Sequence, residues 1–230
     1  METKQNIVAI VQARMNSSRF PGKVLARINN TPLLEILLKR LKMAKNLDQI
    51  LIATSEKKSD NPLVKLAENL GFKCFRGNEQ NVLDRYLKAS KFAEADIIVR
   101  ITGDCPLVDA KLVDQAVKMF IENRPDYLSN TDPPTFPDGL DIEVFNRKSL
   151  IKAFQNQRSS KDSEHVTPFI RESNLFVKNN LKNSEDNSHI RLTVDEVIDL
   201  EVIENIFSHF KPDIHFDLEQ ILEYKKNNVE

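Results

Sequence analysis

The sequence predicts an α/β protein in three layers, α/β/α, with helices on both faces of a mostly parallel sheet. Through residue 120, short β-branched runs alternate with amphipathic helical patterns. The runs are largely apolar instead of alternating with polar residues, which is the pattern of strands buried on both faces. The chain has 230 residues, 40% hydrophobic and 29% charged. That is the balance of a globular protein with the length to bury a sizeable core.

Residues 7–11, Ile-Val-Ala-Ile-Val, read as the first strand, and the polar stretch 12–23 as the loop leaving it. Thr31-Pro32 reads as a helix start, with the threonine as N-cap and the proline in the first turn. Leu33, Leu34, Leu37, Leu38 and Leu41 then follow at helical spacing. Residues 49–54 are the second expected strand. Asn61-Pro62 opens a helix that Gly71 ends; 72–75 is a third strand and 81–95 a helix. Residues 96–101 make the next strand and 102–109 the loop after it. Leu112, Val113, Ala116, Val117 and Phe120 mark one face of a further helix. The second half is less regular. Residues 131–139 hold three of the ten prolines and read as loop. Residues 140–145 read as a strand, 162–171 and 194–210 as helices, and the Lys225-Lys226 tail as a frayed end. With no internal repeat and no linker, residues 1–230 are expected to form a single domain with an irregular segment around 130–190.

Composition excludes several classes. A formal net charge of -1 gives no general grip on nucleic acid or on an anionic membrane, so neither is an expected partner. The apolar run 7–11 is too short for a signal-peptide core or a membrane span, and the expected location is the cytoplasm. Cys74 and Cys105 lie in no metal-ligand spacing. One structural disulfide would use both, while a reducing compartment favours two free thiols. The five glycines make neither a dinucleotide fingerprint nor a Walker A loop. There is no H-E-x-x-H and no G-x-S-x-G elbow.

Ligands of open α/β sheets sit at the carboxyl ends of strands, which singles out two loops. In Gln12-Ala-Arg-Met-Asn-Ser-Ser-Arg-Phe-Pro-Gly-Lys23, three cations share an otherwise uncharged stretch. Arginine grips phosphate oxygens bidentately and lysine supplies a mobile point charge. The loop therefore suits a triphosphate, with a solvated basic loop as the plain alternative. In the second loop, 102–109, Gly103 permits close backbone approach and Asp104 stands just past a buried strand, where packing gives a carboxylate no role. Mg²⁺ takes one or two protein carboxylates together with phosphates and water; a turn-forming aspartate is the alternative. Asp109 reads as the N-cap of the next helix. Asp195, closing the apolar run in Arg191-Leu-Thr-Val-Asp195, reads by itself as another cap.

Taken together, these segments resemble a known family. The strand and loop from Ala13-Arg14 through Arg19-Phe-Pro-Gly-Lys23 are similar to the opening of the cytidylyltransferases that activate 3-deoxy-manno-octulosonate and acylneuraminate. Gly103-Asp104-x-Pro106 resembles their metal-binding loop. The branch called spore coat polysaccharide biosynthesis protein F shares more: Val82-Leu-Asp-Arg-Tyr86, Thr102-Gly-Asp-Cys-Pro-Leu-Val-Asp109, Phe136-Pro-Asp-Gly-Leu-Asp141 and Arg191-Leu-Thr-Val-Asp195. The similarity runs over nearly the whole chain.

The resemblance implies a nucleotidyltransferase-type (Rossmann-like) fold, CTP as substrate, Mg²⁺ as cofactor and a homodimer. It implies Lys23, Arg14 and Arg19 as the catalytic cations on the triphosphate. Gln12, Ala13, Thr54, Gly103 and Asp104 are expected around the nucleotide, with Mg²⁺ on Asp104 and Asp195. Asp84 and Arg85 fall in the branch's own motif and are expected to contact the nucleotide; one residue apart on a helix, they cannot face each other as a salt bridge. Asp138, Gly139, Asp141, Glu143 and His165 are expected to line the acceptor pocket, with Glu164 a further candidate; for His165 a capping or core role is equally open.

The implied reaction transfers CMP from CTP to a sugar or sugar-acid hydroxyl and releases pyrophosphate, in surface polysaccharide or glycan precursor synthesis. The sugar-acid enzymes carry further basic acceptor-binding residues that match no motif here, which leaves the acceptor open. One rival is a nucleotide-sugar-dependent glycosyltransferase. It would commonly carry a D-x-D metal motif, and Asp141-Ile-Glu143 is the nearest approach. The other is a non-catalytic nucleotide-binding protein, which would have no use for Asp104, Asp195 and Lys23 together.

Overall fold

The apolar runs become the central strands, and the helical patterns between them cover the sheet. The computed structural model describes residues 4–157 and 159–228. The first half runs β1 (Ile7–Gln12), β2 (Arg27–Ile28), β3 (Thr31–Pro32), α1 (Leu33–Leu41), β4 (Gln49–Ser55), α2 (Asn61–Asn69), β5 (Lys73–Gly77), α3 (Val82–Phe92), β6 (Ile97–Thr102) and α4 (Ala110–Asn123). There follow β7 (Tyr127–Ser129), β8 (Glu143–Asn146), α5 (Arg147–Asn156), α6 (Ser160–His165), α7 (Pro168–Glu172), β9 (Lys178–Asn180), α8 (Val197–Phe210) and α9 (Leu218–Asn227).

Seven strands form one sheet in the order β5-β4-β1-β6-β8-β7-β9. β5, β4, β1 and β6 are parallel, β8 is antiparallel to both of its neighbours, and β9 is parallel to β7. The three-layer, mostly parallel arrangement is the one the alternation predicts. The chain lays β4 and β5 on one side of β1 and then returns to its other side with β6. That reversal opens a crevice beyond the carboxyl ends of β1 and β6, where Gln12 pairs with Thr102.

Successive residues of β1 face opposite layers. Ala9 and Val11 join Val99, Ile101 and Val144 in one core, against the leucines of α1 and the apolar faces of α4 and α8. Val8 and Ile10 join Ile98, Tyr127 and Phe145 in a second core beneath α3, α5 and α7. Tyr86 of α3 is buried there and donates its phenol to the Ile10 carbonyl at 3.0 Å.

Several expectations are corrected. Thr31-Pro32 do not start a helix: they pair with Arg27–Ile28 as a short ribbon, and α1 begins at Leu33. The cause is Asn29-Asn30, both at positive φ (48° and 70°), the backbone of a tight hairpin turn that asparagine tolerates. The strand expected over 140–145 starts only at Glu143. The helix expected over 162–171 breaks into α6 and α7 at Val166, whose φ is 70°. The helix expected over 194–210 starts at Val197, behind a capping box made by Glu196 and Asp199. Lys225 and Lys226 do not fray, because they sit in α9, which Ile221 anchors in the core. Cys74 and Cys105 are both free thiols. No helix among the described residues is long and apolar enough to cross a membrane.

Candidate active site

A cleft of about 340 Å³ opens at the switch point. One wall is the 12–23 loop, contributing Gln12, Ala13, Arg14, Ser17, Ser18, Arg19 and Lys23; Thr102, Gly103 and Asp104 form the floor. Arg85 of α3, Glu164 and His165 of α6, and Asp195 complete it. The first loop is shaped from beneath. The amide of Met15 donates to Asp60 at 2.8 Å, and the Gly22 amide reaches back to the Met15 carbonyl at 2.8 Å. Gly22 has φ +76° as the chain turns into the 3₁₀ turn Lys23–Leu25, which points Lys23 inward. The two loops abut so closely that a Cβ on Gly103 would lie 2.7 Å from the Gln12 carbonyl oxygen.

At the centre, the Lys23 ammonium donates to Asp104 at 2.7 Å and to Asp195 at 2.8 Å. Lys23 is only 7% exposed. Burial alone would lower its pKa, but Asp104 foremost and then Asp195 outweigh that and leave it raised. The two carboxylates, 91 positions apart, are joined through the backbone as well, since the Val194 amide donates to the Asp104 carbonyl at 3.0 Å. Arg19 also pairs with Asp195, at 2.9 Å. From the outer side, Arg191 spans Asp138, Asp195 and Asp199 at 2.9, 2.8 and 3.0 Å. Burial acts to raise the Asp195 pKa; hydrogen bonds from Lys23 and Arg191 more than reverse this and hold it low.

Among the described residues no group of three or more His, Cys, Asp or Glu side chains is arranged to hold a metal ion. Asp104 and Asp195 are two hard oxygen donors converging on one cation, here the lysine ammonium. That donor set fits Mg²⁺, which completes its shell with phosphate oxygens and water.

The expected nucleotide residues divide. Gln12, Ala13, Arg14, Arg19, Lys23, Gly103, Asp104 and Arg85 all line the cleft. Arg85 is 1% exposed and donates to the Asn78 carbonyl at 2.5 Å, while its Nε is buried with no hydrogen-bond partner among the described residues. Burial, with Arg14 adding like charge, lowers its pKa. Thr54 and Asp84 lie outside the cleft's lining. Thr54 is fully buried and gives its hydroxyl to Asp60 at 3.1 Å. Asp84 turns along α3 to pair with Lys88 at 2.8 Å.

Of the expected acceptor residues, His165 lines the cleft, with Glu164 beside it. Asp138, Gly139 and Asp141 lie outside its lining. Asp141 is exposed; desolvation by neighbouring atoms first, then Asp138 and Glu143, push its pKa up to about 6. Gly139 serves the backbone instead of a ligand: at φ +104°, a Cβ would lie 2.5 Å from the Leu192 and Thr193 backbone. Glu143 cannot line an open pocket, because it is buried against Arg100, Tyr127 and Thr167. Asp109 does cap α4, accepting from the amides of Lys111 and Leu112.

Asp60, Arg100, Arg191 and Asp199 received no role from the sequence. The one legible signal was the spacing Arg191, Asp195, Asp199, four residues apart each time. Asp199 accepts from Arg191 and from the amides of Asp195 and Glu196, and Arg191 chiefly draws its pKa down to about 2. A folded pKa below the ordinary value near 3.8 means the carboxylate stabilises the protein above that value, and that this is lost as pH falls toward 2. Thermal melts should therefore show Asp199→Asn less stable than the parent at pH 7, with the gap closing between about pH 4 and pH 2. A gap independent of pH would separate Asp199 from the ionic cluster.

A family model described as cytidylyltransferase matches residues 8–229. An uncharacterized protein of Methanocaldococcus jannaschii is 42% identical over 225 residues, 96% of this chain and 91% of its own. Spore coat polysaccharide biosynthesis protein SpsF of Bacillus subtilis is 33% identical, over 91% and 90%. The solved structure of a cytidylyltransferase from Leptospira borgpetersenii superposes with a TM-score of 0.94 at 34% identity, covering 98% of this chain and 95% of that one.

Proposed function

The chain belongs to the cytidylyltransferase family, and from that premise we propose that the switch-point cleft binds CTP with Mg²⁺ and transfers CMP to a hydroxyl of a sugar or sugar acid. The observation that carries the reading is Lys23, held between Asp104 and Asp195 on a floor walled by Arg14, Arg19 and Arg85. The acceptor oxygen bonds to the α-phosphorus as the bond to pyrophosphate breaks, and the hydroxyl proton passes to solvent. Arg14, Arg19 and Lys23 bind the triphosphate and stabilise charge growing on the leaving pyrophosphate. Asp104 and Asp195 would hold the Mg²⁺, which when bound supplies charge neutralisation at the phosphates. To bind both nucleotide and ion, Lys23 exchanges a carboxylate for phosphate oxygens.

His165 and Glu164 stand on the acceptor side of the same cleft, and residues 130–190 supply that side within a single domain. The motif resemblance supports a sugar or sugar-acid acceptor and a homodimer, and the composition supports a cytoplasmic enzyme. The SpsF relative supports a place in surface polysaccharide synthesis. Calorimetry with Mg²⁺ should show CTP binding about tenfold or more tighter than ATP, GTP or UTP, a difference of about 1.4 kcal/mol. Pyrophosphate release against a panel of sugar acids and sugar phosphates identifies the acceptor. Equal affinity for all four nucleotides removes cytidylyl transfer.

A further inference from the structure

The second core holds an ion pair that the proposed chemistry does not use. Glu143 of β8 lies directly opposite Arg100 of β6 in the antiparallel register, and the two side chains pair beneath α3. Glu143 is 4% exposed. Its other oxygen accepts from the Tyr127 phenol at 2.5 Å and the Thr167 hydroxyl at 2.6 Å. Burial would neutralise such a carboxylate; Arg100, then Thr167 and Tyr127, keep its pKa below the ordinary value. A buried charge held this fully is rigid, because any displacement leaves a desolvated group unpaired.

Both ends of this cluster reach the cleft. Arg100 donates from Nε to the Gln12 side chain at 3.2 Å, and Gln12 lines the nucleotide wall. Thr167 follows the sharp bend that ends α6. There Val166 has φ 70° and ψ -51°, and the Thr167 amide donates to the His165 carbonyl at 2.8 Å. This is a γ-turn of the rare positive-φ hand, an outlier for a β-branched residue that persists only where its surroundings over-determine it. The surroundings here are the fully buried Val166 side chain and the Thr167 hydroxyl on Glu143. The bend sets Glu164 and His165 at the cleft.

We propose that Glu143 and Thr167 are positioning residues: one buried carboxylate fixes the Gln12 wall through Arg100 and the His165 wall through Thr167, and so sets the distance across the cleft. The catalytic part rests on the reading of the cleft as the CTP and acceptor site. Two groups brought to attack distance by opposite walls react at a rate sensitive to that distance, so a carboxylate remote from both substrates controls how the acceptor meets the nucleotide.

Thr167→Val removes the hydroxyl and keeps the shape; Thr167→Ser restores the hydroxyl. Deuterium uptake across residues 163–168 should rise about tenfold in Thr167→Val, with β1 and β4 unchanged, and return toward the parental rate in Thr167→Ser. With an acceptor in hand, its KM should rise about tenfold while the Kd for CTP stays within about twofold. Unchanged uptake, or uptake raised equally through the sheet, overturns the proposal, as does a KM unaltered by Thr167→Val. The exchange experiment needs no substrate. If no acceptor is ever turned over, the functional reading fails while the uptake result still decides whether Thr167 holds the turn.

Discussion

Replacing Lys23 by alanine is expected to lower pyrophosphate release by about 10²–10³-fold, the loss seen when one preorganised charge donor is removed from a reacting centre. The protein should remain folded. Lys23 sits on a 3₁₀ turn at the end of a loop and its ammonium meets carboxylates, not core. Arg19 and Arg191 still neutralise Asp195 when it is gone. The residual cost is the desolvation of Asp104, whose ion pair is with Lys23. Lys23→Arg should not rescue, because a planar guanidinium does not fill a site shaped for a point charge between two carboxylates. Near-parental turnover in Lys23→Ala, measured at saturating CTP with far-ultraviolet circular dichroism as the check on folding, removes the lysine from the chemistry.

Asp104→Asn and Asp195→Asn should each weaken Mg²⁺-dependent CTP binding by about tenfold or more. The double variant should lose much less than the product of the two, because both act on one cation. They will differ in stability. Asp195 is paired with Lys23, Arg19 and Arg191, whereas Asp104 is paired with Lys23. Asp195→Asn therefore removes the larger share of the cluster and should show the larger fall in melting temperature. Calorimetry with and without Mg²⁺ separates the effects. Losses that multiply in full, or CTP affinity indifferent to the ion, return the two aspartates to being structural ion-pair partners of Lys23.

The central sheet was legible because its strands are buried on both faces, and a run such as Ile7–Gln12 has few other fates. The loops after β1 and β6 were legible because charge past a buried strand has no packing explanation. What the sequence hid were contacts made across the fold. Thr54 stands at a strand's carboxyl end, where a ligand residue belongs, yet Asp60 claims its hydroxyl. Glu143 alternates as a strand residue should, but only the register shows Arg100 across from it. Val166 continues a helical pattern that its own backbone breaks, since a hydroxyl and a buried valine outweigh local propensity. The Asn29-Asn30 turn was readable in principle; the proline beside it gave a stronger, misleading signal.

The ammonium between Asp104 and Asp195 also bears on how salt acts on the empty protein. Arg14, Arg19, Lys23 and Arg85 line the cleft against Asp104, Glu164 and Asp195, so four cations face three anions. At contact distances of 2.7–2.9 Å the pairs among them lie well inside the Debye length of about 8 Å at physiological ionic strength. Asp104 and Asp195 are thus the counterions of Lys23 and Arg19 in the empty protein. On the proposed reading, nucleotide phosphates that reach Lys23 and Arg19 would exchange one anion for another within the protein, and the share of binding carried by these two cations would respond less to ionic strength than a contact to an unpaired surface cation.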